Sequence, residues 1–204
     1  MSQAAPPPGK PSLKAATSHL WAVHWGVLGV VLLFVQACVR LGARTVDALA
    51  MPLSGLEVAL SLFWVLFNAY GEGYRAFQLR FSPRVVQRAH ALAQPSEARY
   101  RWLAPLYCMS MVGAPRRSRI IAWGSVVLIA LAVAIMSQVP QPYRGIVDGG
   151  VVVALIWGIL TMAYYHLRAL RSGELQPVAP SRRERNAALQ PASAEPSPRA
   201  GSVG

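Results

Sequence analysis

The chain has 204 residues, 54% of them hydrophobic and only 14% charged, and its mean hydropathy is +0.35. A soluble domain carries about 25% charged residues, and the deficit here lies in long uncharged runs, which excludes an ordinary soluble fold. Twenty Lys and Arg against eight Asp and Glu give a formal charge of +12. The basic residues fall between the hydrophobic runs, where they set topology, so nucleic acid is not expected as a partner.

Residues 1–18 hold Pro, Ala, Lys10 and Lys14 without periodicity and are expected to form a disordered cytoplasmic tail. Leu20–Val39 is uncharged and would reach about 30 Å as a helix, the thickness of a bilayer core. Trp21 and Trp25 open this first span at the headgroup level. A signal peptide with Ala48-Leu49-Ala50 as its cleavage site is the rival reading, but the apolar run is too long for one.

A short connector is expected over Arg40–Met51, carrying Arg40, Arg44 and Asp47, with Pro52 opening the next helix. Pro52–Tyr70 is the second span, and Glu57 is its one ionisable residue. Gly71-Glu72-Gly73 reads as a tight exit turn. Ser82-Pro83 reads as a new helix start. The following residues, 83–93, form a basic amphipathic helix that lies on the membrane surface or packs beneath the bundle as a connector.

Residues 102–115 are uncharged and contain Pro105, but as a helix they reach only about 21 Å. They are read as a re-entrant or interfacial segment that keeps Arg101 and Arg116-Arg117 on one side. Residues 120–139 are the third span and 146–167 the fourth, with Asp148 near one end and Tyr164-Tyr165 near the other. The tail, 172–204, has no apolar stripe and is expected to be disordered and cytoplasmic.

The expected fold is thus an all-α integral membrane protein whose membrane domain, 19–171, has four transmembrane helices. With four spans both termini share one side. That side holds 17 Lys and Arg, against three (Arg40, Arg44 and Arg144) on the other, so the termini and the segment between spans two and three are placed in the cytoplasm. High Ala and Arg usage points to a cell inner membrane.

Glu57 and Asp148 are the intramembrane ionisable candidates, with Arg40, Arg44 and Arg144 as ion-pair partners at the same depth. Arg99, Arg101, Arg116 and Arg117 are candidates for binding an anion or a lipid headgroup. His24 and His166, with His19 nearby, stand at matching depths and are the candidate metal or haem ligands. Gly26, Gly29, Gly124, Gly145 and Gly149 would permit close helix approach. Cys38 and Cys108 are read as small hydrophobes on opposite sides of the membrane, with no bond between them.

No nucleotide loop, zinc-protease motif or nucleophile elbow appears, which removes the usual reasons for proposing an enzyme without excluding one, so no catalytic residue and no cofactor is named. The leading reading is a binding or scaffolding component with a basic cytoplasmic face. Its partners would be the bilayer, anionic headgroups, and further copies of itself or other membrane proteins. The alternatives are proton- or ion-coupled transport through Glu57 and Asp148, and a haem-binding redox protein using His24 and His166.

Overall fold

The structure is a computed structural model that describes residues 20–93, 98–173, 175 and 177. The two expected tails, with Lys10 and Lys14, lie outside the described residues except for 172, 173, 175 and 177, and so does His19 at the start of the expected membrane domain. All regular elements described are helical: α1 Leu20–Leu49, α2 Gly55–Asn68, a π-helix Ala69–Phe81, α3 Ser82–Ala91, α4 Ala98–Trp102, α5 Ala104–Cys108, α6 Arg116–Met136 and α7 Tyr143–Ser172. Three of them, α1, α6 and α7, are long and apolar enough to cross a membrane.

The expected connector after Val39 is instead helix, because α1 runs on through Arg40, Arg44 and Asp47 to Leu49. Between Val39 and Leu49 Gly42 is the poorest helix former, no proline interrupts the run, and charged side chains do not stop a helix. The second helix starts after Ser54, not at Pro52. The Ser54 N–H donates to Glu57 Oε2 at 2.7 Å, and the Glu57 N–H donates to Ser54 Oγ at 3.4 Å, a reciprocal cap that satisfies two free backbone donors.

The exit turn at Gly71-Glu72-Gly73 is absent. Helical backbone continues without a break from Gly55 to Ala91, passing through the π-helix. The α-helical element α3 does begin at Ser82 with Pro83 in its first turn, but it continues the helical backbone before it and Ser82 does not cap it. The Ser82 hydroxyl is buried, 2.9 Å from Thr161 Oγ1 on α7, and its N–H reaches back to the Phe77 carbonyl. In an unbroken α-helix the Pro83 ring would leave the Leu79 carbonyl without its donor and press against it. The wider π register, ending at Ser82, delivers Pro83 into the first turn of α3, where proline is tolerated.

Helices α1 and α7 form the centre of the bundle and run antiparallel. His24 meets His166 at one end, and Arg44 and Ala48 meet Asp148 and Gly145 at the other. The long helix 55–91 lies along α7 in the same direction: Trp64 bonds to the Val147 carbonyl, Gly73 abuts Trp157 and Ser82 meets Thr161. Glycine makes these approaches close. A Cβ on Gly26 would stand 2.8 Å from Cys108 Sγ, and one on Gly150 would stand 2.8 Å from Trp64 Nε1. Gly124 differs from expectation, since among the described residues nothing would lie within 4 Å of a Cβ there.

Of the two placements open to the amphipathic helix, the structure shows the packed one. Val85, Val86, Ala89 and Leu92 are buried, with Val85, Ala89 and Leu92 joining Ala22, Val23, Val27 and Met162 in the main core. Burial of this apolar face against α1 and α7 outweighs its exposure at a lipid surface.

Residues 98–115 do not form one helix. Pro105 and the left-handed backbone of Ser110 (φ 65°) and Gly113 (φ 61°) divide them into α4, α5 and a loop. The segment closes on itself, with Gly113 against the Tyr100 and Tyr107 rings. In contrast, among the described residues α6 has no buried residue and no extensive packing against another helix.

Candidate functional site

At the Asp148 end, the predicted ionisable residues separate. Glu57 is engaged by its own helix cap, both through the Ser54 N–H and through the Ser54 hydroxyl at 2.8 Å. Asp148 is buried at 6% exposure, and Arg44 Nη1 stands 3.7 Å from its Oδ2. That separation is a charge contact and too long for a hydrogen bond, which leaves Oδ2 without a donor. Arg144, expected beside Asp148, turns Nη1 toward the Ser137 carbonyl at 3.5 Å. Arg40 is exposed. The two carboxylates thus have different partners.

At the opposite end, the histidines converge. His24 Nδ1 and His166 Nε2 are 3.1 Å apart, a hydrogen bond between α1 and α7. His90, on α3, brings a third ring with its centroid 5.8 Å from that of His166. Burial, with His24 as the lesser cause, holds His90 below the usual histidine pKa. Among the described residues, His90 Nε2 and His166 Nδ1 are buried without a hydrogen-bond partner.

This arrangement does not fit the alternative in which His24 and His166 ligate a haem. Nitrogens on opposite faces of a haem iron are about 4 Å apart with a porphyrin between them, whereas these two nitrogens bond to each other directly. Among the described residues, no group of three or more His, Cys, Asp or Glu side chains is set to hold a metal ion.

Of the four basic candidates, Arg99 alone lines a hollow beside the histidine end. Arg99 and Arg119 line it with Tyr100, Val112, Gly113 and Ala114, around a volume of about 420 Å³. Arg116 and Arg119 border a shallower apolar depression along the start of α6. Arg101 is half-buried and Arg117 exposed, and neither lines the hollow.

The hollow exists because Arg88 holds its far wall. Arg88 Nε donates to the Tyr107 carbonyl at 2.6 Å, and Nη2 donates to the Val112 and Gly113 carbonyls at 3.1 and 3.3 Å. Its guanidinium also lies 4.1 Å from the centre of the Tyr107 ring. Helix α6 begins at the same wall, with Pro115 as its N-cap and no side chain capping it, so its dipole adds positive potential there.

Sequence reasoning missed His90, Arg119 and the clamping role of Arg88. The apolar pattern of Val85, Val86, Ala89 and Leu92 was a usable signal for Arg88 and His90. It needed the continuous helix 55–91 to show which way that face turns.

Comparison with protein-family models, with curated proteins and with solved structures returned no match. The fold itself defines the class: a small all-α, multi-pass membrane protein.

Proposed function

We propose that this protein is a non-catalytic binding component of a cell inner membrane, holding an anionic headgroup in the basic hollow between Arg99 and Arg119. It crosses the bilayer four times, the helical stretch 55–81 supplying the second crossing, with both termini, α3 and the hollow on the cytoplasmic side. The supporting observation is the hollow itself: two arginines, a phenol ring and an uncapped helix start around about 420 Å³. Ligand sites of this kind measure roughly 300–1,000 Å³. Arginine forks match phosphate oxygens in geometry as well as charge. Trp21, Trp25 and Trp102 cluster at the same end, with Trp25 Nε1 donating to the Trp102 carbonyl at 3.2 Å, as an aromatic belt would at headgroup depth.

The test is native mass spectrometry of the full chain released from nanodiscs containing equal anionic and zwitterionic phospholipid. The wild-type chain should retain anionic lipid, and R99Q/R119Q should lose most of it. R101Q/R117Q, which alters arginines off the hollow, should keep it. Equal retention by all three proteins would refute the site.

A further inference from the structure

The height of the π-helix along α7 is measurable from contacts. Gly73 packs on Trp157, and Trp157 stands nine residues from Asp148 and nine from His166. It is therefore midway between the two polar ends of the bundle, about 14 Å from each along the helix. Glu72 and Arg75 flank this position and are both exposed. Among the described residues neither is in an ion pair. In a bilayer centred on the bundle, a carboxylate and a guanidinium would face hydrocarbon at its midplane, where ionisable side chains occur only against protein or water. The distance is too great for either to reach a polar end by snorkelling.

The same face carries its own complement. Glu72 and Arg75 are opposite charges three positions apart, so a two-fold axis along the membrane normal sets each Glu72 close to the height of the partner copy's Arg75. Gly71 lies beside them, and among the described residues nothing is within 4 Å of where its Cβ would be, so a second helix has room to come close. Tyr70 and Tyr74, stacked with centroids 6.0 Å apart, add exposed aromatic surface of the kind that anchors interfaces.

We infer that a second copy of this chain covers the π-helix face around Gly71, with Glu72 of each copy paired to Arg75 of the other across a two-fold axis. The inference needs the protein to cross the membrane but does not depend on headgroup binding. Its test leaves the hollow untouched.

Full-length chain carrying Cys38→Ala and Gly71→Cys, oxidised in native membranes, should give a disulfide-linked homodimer, whereas Leu160→Cys on an exposed part of α7 should not. In detergent, E72R and R75E should each lower the dimer fraction about tenfold or more, and E72R/R75E, which restores opposite charges across the axis, should recover it. No homodimer from Gly71→Cys would overturn the inference, as would cross-linking to other proteins alone. A double variant no more dimeric than either single variant would overturn it too. The cross-linking result stands even where a charge variant fails to insert.

Discussion

The Arg44 guanidinium stands 3.7 Å from the Asp148 carboxylate and ties the end of α1 to the start of α7. Arg44 is partly exposed while Asp148 is buried, so the two sides of the pair carry different costs. Removing the arginine strands a buried charge, whereas neutralising the aspartate removes the need for it. R44A should cost about 1–3 kcal/mol, D148N should be nearly neutral, and R44A/D148N should recover most of the R44A loss. Unfolding in mixed micelles, followed by circular dichroism, measures the cycle. An R44A loss that D148N fails to relieve would show that Arg44 acts by packing alone.

Two glycines on membrane-length helices should respond in opposite directions. A Cβ on Gly29 would overlap the Pro105 ring, which has no flexible end to move aside. G29A should destabilise the protein by about 1–3 kcal/mol. Gly124 meets nothing, so G124A should be neutral or up to about 1 kcal/mol stabilising through helix propensity. Thermal unfolding of the two variants side by side decides the point.

Arg88 satisfies three backbone carbonyls that no lysine can reach together, because only guanidinium presents donors in a fixed fork. R88A and R88K should both loosen residues 107–114, with a loss of about 1–3 kcal/mol for the alanine. Hydrogen exchange of those amides is the readout. Unchanged protection in R88K would mean that charge alone suffices.

His90 gives the fold a pH dependence whose sign follows from its burial. Folding holds its pKa below the ordinary value, so as pH falls the unfolded chain takes up the proton first. The contribution to stability is full above about pH 6.5 and is lost progressively below it. Tm in detergent should fall on the acid side of that value, and H90Q should flatten the slope. A slope identical in H90Q would assign the acid sensitivity to other groups.

Much of the architecture was legible in one dimension because hydrocarbon rewards long uncharged stretches wherever they occur. Leu20–Val39 and 146–167 fall within helices long enough to cross, and 120–139 does so as far as Met136, where α6 ends. Charge and glycine were weaker guides to where a helix ends. Arg40 and Gly71-Glu72-Gly73 look like boundaries, yet backbone hydrogen bonding continues through both. A helix ends when its terminal donors or acceptors find other partners, as at Gly173, where left-handed backbone closes α7 with an N–H to the Ala169 carbonyl.

Composition and periodicity alone determined that the chain is helical and built for a membrane, because these follow from transfer free energies summed along the chain. Rotation and axial offset between helices were decided only in three dimensions. His24, His90 and His166 meet, and Glu72 and Arg75 come to mid-height, because glycine contacts at positions 26, 29, 73 and 145 set how closely and at what height the helices pack. That offset is a property of paired surfaces, and no single segment encodes it.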